Sequence, residues 1–228
     1  MRKPTFSVAI DGPSGAGKST LARQASRELG FLYVDTGALY RALGLLAIRQ
    51  GVPPGDASGV KPLLSQTEVA LTHNKNGQKV FLNGEDVTGA IREHAVSRAA
   101  SDISAIPAVR AFLLQTQRDF AHSHDIIMDG RDIGTVVLPE ADLKIFLTAT
   151  PEDRARRRYE ELRLREAGIS YETVLTDIKI RDRNDTSRAA APLKPAADAI
   201  TLDTTGNTFA QSLQMILDIV KGKLCSIR

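Results

Sequence analysis

Short apolar runs punctuate this chain, and longer stretches between them return an apolar residue every three or four positions. Five runs predict buried strands: Phe6–Ile10, Phe31–Val34, Ile126–Met128, Leu143–Leu147 and Ala199–Leu202. The longer stretches predict helices at Ser19–Leu29, Ala38–Gln50, Pro107–Phe120, Glu152–Ala167, Tyr171–Asn184 and Thr208–Lys223. In the first of these, Leu21, Ala22, Ala25 and Leu29 share one face and Gly30 follows as a stop. Helices between most of the strands imply βα units. The expected fold class is therefore α/β, with a five-stranded parallel sheet flanked by helices.

One region departs from this rhythm. Val69–His73 alternates, Asn74-Lys75-Asn76-Gly77 turns, Lys79–Leu82 alternates again, and Asn83-Gly84 offers a second turn. Alternation broken by tight-turn residues predicts a β-meander. It is expected to lie in a small insertion at 65–105, leaving 1–64 and 106–228 as the core.

Between the first strand and the first helix stands Gly12-Pro13-Ser14-Gly15-Ala16-Gly17-Lys18-Ser19, a full match to G-x-x-x-x-G-K-[ST]. Glycines let such a backbone curl so that its N–H groups face phosphate oxygens. The helix behind it turns its positive end to the same anion. Lys18 then reaches the β- and γ-phosphates of a nucleotide, and a hydroxyl after it ligates Mg²⁺.

Composition narrows the classes. The 228 residues are 42% hydrophobic and 25% charged, values of an ordinary globular chain. One cysteine, Cys225, excludes a disulfide framework and fits a reducing compartment. The apolar run behind Arg2 and Lys3 is too short for a signal peptide, and no stretch approaches a membrane span, so a cytoplasmic protein without membrane contact is expected. The net charge of +3 is small and the chain has no Trp and few aromatics, which favours a polyphosphate site over nucleic acid as the reason for its arginines.

Other residues carry candidate chemistry. Asp129 ends an apolar strand, where an acid organises Mg²⁺ or its water; a turn-forming Asp-Gly is the plainer alternative. Arg131 and Asp132 follow at the strand edge where open α/β sheets bind ligands, or form an exposed ion pair. Asp35 and Thr36 could cap the helix that carries Arg41, a candidate for a second phosphate. Arg154, Arg156, Arg157 and Arg158 crowd a helix start, where cations are disfavoured; Glu160 and Glu161 offer partners to Arg156 and Arg157, or an anion answers at least one of the four. Arg181, Asp185 and Arg188 fall on one helical face and could bind one polar ligand, or form a self-paired surface stripe. His122 and His124 lack zinc-like spacing to any partner.

In this order, Ile10–Lys18, Asp35–Arg41, Asp129–Thr135, Lys144–Leu147, Arg181–Arg183 and Arg188–Leu193 resemble the bacterial cytidylate kinases over nearly the whole chain. The resemblance implies transfer of a phosphoryl group from ATP to CMP or dCMP, with Mg²⁺, on a P-loop kinase core of strand order 2-3-1-4-5. It implies an inserted subdomain that binds the nucleoside monophosphate. Such a site must exclude water when it closes, and the arginine-rich segment near 154–168 is the candidate lid. Gly12, Pro13, Ser14, Gly15, Ala16, Gly17, Lys18, Ser19 and Thr20 would take ATP. Some members place the metal hydroxyl at position 20, but strict loop spacing picks Ser19, with Asp129 acting through water. Arg41 and Arg131 would face the α-phosphate of CMP. Thr36, Arg110, Asp132 and Arg188 would surround the base, and Ser101, Arg181 and Asp185 the sugar. Lys18, Arg131, Arg157 and Asp129 are the expected catalytic set, in a monomer that binds only small molecules. The rivals are a P-loop kinase for UMP, AMP or a hydroxyl acceptor, and a nucleic-acid-stimulated ATPase.

Overall fold

The computed structural model describes residues 5–74, 77–163 and 168–227. Its first half runs β1 (Ser7–Asp11), α1 (Lys18–Leu29), β2 (Leu32–Asp35), α2 (Thr36–Arg49), α3 (Ala57–Leu64), β3 (Val69–Asn74), β4 (Gly77–Leu82), β5 (Glu85–Asp86), α4 (His94–Ile103) and α5 (Pro107–Ser123). The second half runs β6 (Ile126–Gly130), β7 (Leu143–Thr148), α6 (Pro151–Leu162), α7 (Tyr171–Ser187), β8 (Ile200–Asp203) and α8 (Phe209–Ile227). These form two compact units, one joining the segment ending at Tyr33 to that beginning at His124, the other being Val34–Ser123.

The first unit is built on a parallel sheet in the order β2-β6-β1-β7-β8, which is 2-3-1-4-5 among its five strands. β1 is central. Ser7–Asp11 runs in register with Ile126–Gly130 on one side, and Val8–Asp11 with Leu143–Phe146 on the other. Strands covered on both faces must be apolar throughout, and β6 is buried at every position. Ile10, Leu21, Ala25, Ile127, Ile145, Leu147, Ile216 and Val220 form one core of strands and helices α1 and α8. Each fully buried aliphatic side chain there contributes about 1.5–3 kcal/mol. A second small core, Ala155, Leu162, Val174 and Ile178, joins α6 to α7.

In the second unit the meander forms as expected. β3 pairs antiparallel with β4, and β4 with β5. Asn83 and Gly84 both take positive φ, +50° and +84°, as the turn between β4 and β5 requires. Residues 75 and 76 of the expected Asn74–Gly77 turn lie outside the described residues. The expected insertion at 65–105 sits within the larger unit Val34–Ser123, because α2 packs on the meander and on α4, and α3 on α5. At the α2–α4 contact a Cβ on Gly44 would stand 3.0 Å from the Ala100 nitrogen, so the helices close on small residues.

Several expectations are corrected. α3 and α4 have no counterpart among the predicted helices: Gly59 and Pro62 interrupt the helical pattern of the first, and the second is only ten residues long. α6 ends at Leu162, short of the expected Ala167, and 164–167 of the expected lid lie outside the described residues. α7 continues to Ser187, and Arg188 follows in extended backbone, so it does not share a helical face with Arg181 and Asp185.

Candidate active site

The phosphate-binding loop is defined first by where side chains cannot go. Gly12 has φ +150°, and a Cβ there would lie 1.9 Å from the Leu147 carbonyl oxygen of β7. Gly15 and Gly17 take φ +76° and +88°. Helix α1 starts behind them with no side-chain cap and no acid in its first turn. Four other helices do have such a cap: Asp35, Asp56, Thr150 and Ser170 each accept a backbone N–H in α2, α3, α6 and α7. The N–H groups and positive end of α1 are thus uncompensated by its own side chains, the requirement for holding phosphate.

Lys18 is 5% exposed, and its Nζ donates to the Pro13 carbonyl at 2.8 Å. Burial, then the Arg131 charge, push its pKa down; Asp129, Asp185 and Asp11 act against them. Asp129, at the end of β6, accepts Ser19 Oγ on Oδ2 at 2.8 Å and the Tyr33 hydroxyl on Oδ1 at 2.8 Å. The Ser19 and Asp129 oxygens therefore stand together as hard ligands of the type Mg²⁺ takes. Thr20 is exposed. The Arg23 guanidinium lies 5.4 Å over the Tyr33 ring and covers it from the helix side.

Asp11 closes β1 with a carboxylate that accepts the N–H groups of Ile133 and Gly134, each at 2.7 Å. Burial pushes its pKa up to about 6, against the two backbone hydrogen bonds. Those bonds hold the turn Ile133–Val137, a single π-helical turn of the type frequent at functional sites. Arg131 and Asp132 lead into this turn.

Around them lies a mixed-charge cluster. Arg131 Nε donates to Asp185 Oδ2 at 2.8 Å, and its Nη1 to the Gly130 carbonyl at 3.3 Å. Burial opposes the Arg131 charge, but Asp185 foremost, then Asp129 and Asp11, raise its pKa. The partner of Arg131 is thus Asp185 rather than its neighbour Asp132. Arg188 faces both acids, 3.8 Å from Asp132 and 3.7 Å from Asp185, and its Nε donates to the Ala191 carbonyl at 2.7 Å. Arg188 and Asp132 side chains are each 6% exposed. What brings Arg188 there is the turn after α7, where Leu193 donates to the Asp185 carbonyl and Ala191 takes φ +49°. Arg181 completes the group; burial, then Arg158 and Arg131, push its pKa down. A buried guanidinium such as Arg181, held down by neighbouring guanidiniums, is stabilised by an anion.

The four arginines of α6 have separate tasks. Arg154 is buried against the phosphate-binding loop and α7. Arg156 pairs with Asp153 one turn back. Arg157 reaches Asp153, the Thr204 carbonyl and hydroxyl, and the Ala16 carbonyl of the loop at 3.5 Å. Arg158 pairs with Glu161, and Glu160 with Arg163, so the expected pairing of Glu160 and Glu161 with Arg156 and Arg157 does not form. Asp153 is nearer because the first helical turn holds it inward under Thr150.

The second unit gathers its own candidates. Asp35 caps α2 through Ala38 N and also accepts Arg41 Nη2 at 2.8 Å. The expected capping acid therefore positions an expected phosphate ligand as well. Thr36 is 2% exposed at the helix start. The Arg110 guanidinium of α5 lies 5.6 Å from the Tyr40 ring centre, and its Nη1 donates to the Ser104 carbonyl at 3.2 Å. Ser101 is one turn earlier, its carbonyl accepting the Ser104 hydroxyl. Sequence reasoning missed Tyr33, Tyr40 and the support role of Asp11. Only Asp11 left a legible sign, a charge ending an apolar strand.

The family model for cytidylate kinase matches residues 8–222. The cytidylate kinase of Pelotomaculum thermopropionicum is 53% identical over 92% of this chain and 93% of its own length. That of Desulfitobacterium hafniense is 48% identical over 97% and 95%. Among solved structures, an uncharacterized protein from Eubacterium ventriosum shares the fold at a TM-score of 0.53 and 12% identity, covering 96% of this chain and 99% of that one. With its loop, its Asp129 and its arginine–aspartate cluster in place, and with relatives of this closeness along nearly its full length, the chain belongs to the cytidylate kinase family.

Proposed function

We propose that this chain transfers the γ-phosphoryl group of ATP to CMP or dCMP, giving ADP and CDP or dCDP. The observation that carries the reading is the convergence of Arg131, Asp132, Asp185 and Arg188 in the unit that also bears the phosphate-binding loop. The acceptor is already a phosphate anion, so no general base is needed. What the site must overcome is repulsion between two polyanions brought in line, and positive charge on fixed side chains does that.

In this reading Gly12–Thr20 cradles the ATP phosphates and Lys18 holds the β- and γ-oxygens. Ser19 and Asp129 would hold Mg²⁺, Asp129 through water. Among the described residues no group of three or more His, Cys, Asp or Glu side chains could hold a metal ion by itself. Mg²⁺ held there would supply positive charge against the phosphate oxygens. Arg157, whose Nη1 lies 3.5 Å from the Ala16 carbonyl of the loop, would meet the transferring phosphoryl group. Arg131 and Arg41 take the α-phosphate of CMP, and Ser101, Arg181 and Asp185 the sugar.

Thr36, Arg110, Asp132 and Arg188 read the base. Cytosine presents an amino donor at N4 to the Asp132 carboxylate and acceptors at N3 and O2 to guanidiniums. Uracil sets an oxygen against the carboxylate and a proton against an arginine. In a buried site such mismatches discriminate strongly. No helix of the described residues is long and apolar enough to cross a membrane. We place the enzyme in the cytoplasm as a monomer. The deciding experiment is ADP formation from Mg-ATP with CMP, dCMP, UMP, AMP and GMP offered separately to the wild type and to Lys18→Met. Turnover confined to CMP and dCMP, and abolished by Lys18→Met, is the expected result. No monophosphate-dependent ADP would overturn the reading.

A further inference from the structure

Arg154 stands in the first turn of α6, where a helix dipole disfavours a cation, and is 3% exposed. Its guanidinium spends its donors on three separate segments. Nε donates to the Ala149 carbonyl just beyond β7 at 2.8 Å, and Nη1 to the Ser14 carbonyl of the phosphate-binding loop at 2.9 Å. Nη1 and Nη2 also grip the two oxygens of Asp182 on α7 at 3.0 and 2.6 Å. A planar fork makes these contacts together; an ammonium group cannot.

Two consequences follow for the loop. The Ser14–Gly15 peptide is trans, so fixing the Ser14 oxygen on Arg154 points the Gly15 N–H away from it. Gly15 itself is pressed on the same junction, since a Cβ there would meet Arg154 Cβ at 3.1 Å and Ile178 Cδ1 of α7 at 3.3 Å. On α7, Asp182 adjoins Arg181 and lies one turn before Asp185, whose carboxylate takes Arg131. One side chain thus connects the loop to the helix that carries Arg181 and Asp185.

We propose that Arg154 and Asp182 are a positioning pair that couples the ATP loop to α7, so that the affinities for ATP and CMP depend on each other. The inference rests on the reading that α7 holds CMP. Filling the loop fixes the Ser14 peptide and, through the fork, α7. The second ligand then meets a helix already ordered, and the coupling is positive.

The test is the dissociation constant of CMP, measured by calorimetry with and without a saturating non-hydrolysable ATP analogue. In the wild type the analogue tightens CMP binding about fivefold or more. Asp182→Asn leaves Arg154 its bonds to Ser14 and Ala149, so each ligand alone binds within about twofold of wild type and the tightening disappears. Arg154→Lys, which keeps the charge but not the fork, loses it too and covers the case in which Asp182→Asn misfolds. A purely structural pair would lower the urea midpoint and leave the coupling unchanged. That result, or a wild type without coupling, overturns the proposal. A wild type that binds no CMP at all would instead overturn the assignment of α7, a separate failure.

Discussion

The Tyr33 hydroxyl donates to Asp129 Oδ1 at 2.8 Å, from one strand of the sheet to its neighbour, while Ser19 holds Oδ2. Tyr33 therefore fixes the rotation of the carboxylate proposed to organise Mg²⁺. In Tyr33→Phe the ring and its contact with Arg23 remain and the bond is lost. The Mg²⁺ concentration for half-maximal rate should rise about tenfold. Stability should fall by about 1 kcal/mol. Rate titrations against Mg²⁺ at fixed ATP, with urea melts alongside, read both.

Asp132 is the proposed reader of the cytosine amino group. Its replacement by Ala removes an acceptor and leaves Arg188 facing Asp185 alone. The preference for CMP over UMP, taken as a ratio of kcat/KM, should fall about a hundredfold while the KM for ATP moves less than about threefold. Equal losses toward both substrates would remove Asp132 from base recognition.

Asp11 makes stability depend on pH. Its pKa is raised from 3.8 to about 6 in the fold, so between those values the native state binds the extra proton. Its contribution is present below pH 3.8 and is lost as pH rises through about 6, an effect on the order of 3 kcal/mol. Asp11→Asn removes this titration and adds a pH-independent offset, because its amide nitrogen cannot accept the second N–H. The difference in unfolding free energy, wild type minus variant, should therefore decline from pH 4 to pH 7. A flat difference would show that Asp11 keeps an ordinary carboxylate pKa.

Gly12 has a backbone oxygen 1.9 Å from where a Cβ would be, and that oxygen belongs to a buried strand that cannot yield. Gly12→Ala should cost more than about 3 kcal/mol, beyond a typical substitution. Gly51, with φ +66° and open space, should lose only about 1 kcal/mol on the same change, since strain alone acts there. Paired thermal melts of the two variants separate clash from strain.

The strands and the loop were legible because each is written locally, in apolar runs and in a contiguous motif, whereas the strand order 2-3-1-4-5 came only through the family resemblance. The meander was legible for the same reason. Arg41, Arg131 and Arg154 could be singled out, but not their partners. Asp35, Asp185 and Asp182 are acids among many, and only the fold shows which arginine each one holds. Arg188 shows the limit clearly: helical spacing puts it on one face with Arg181 and Asp185, whereas it stands in extended backbone after α7 and from there faces both Asp185 and Asp132. Tyr33 read as core and is core, yet its one polar atom supports the site.

The central place of β1 also sets an order of assembly. Its partners begin far along the chain, with Phe6 bonded across a separation of 119 residues and Ser7 across 135. The first strand made is therefore among the last to be paired, since β6 and β7 must be synthesised before it has a neighbour. Closing such long loops slows folding and leaves an apolar segment exposed meanwhile. The nucleotide loop takes shape only when β7 arrives beside Gly12, so the enzyme cannot bind ATP productively as a partial chain.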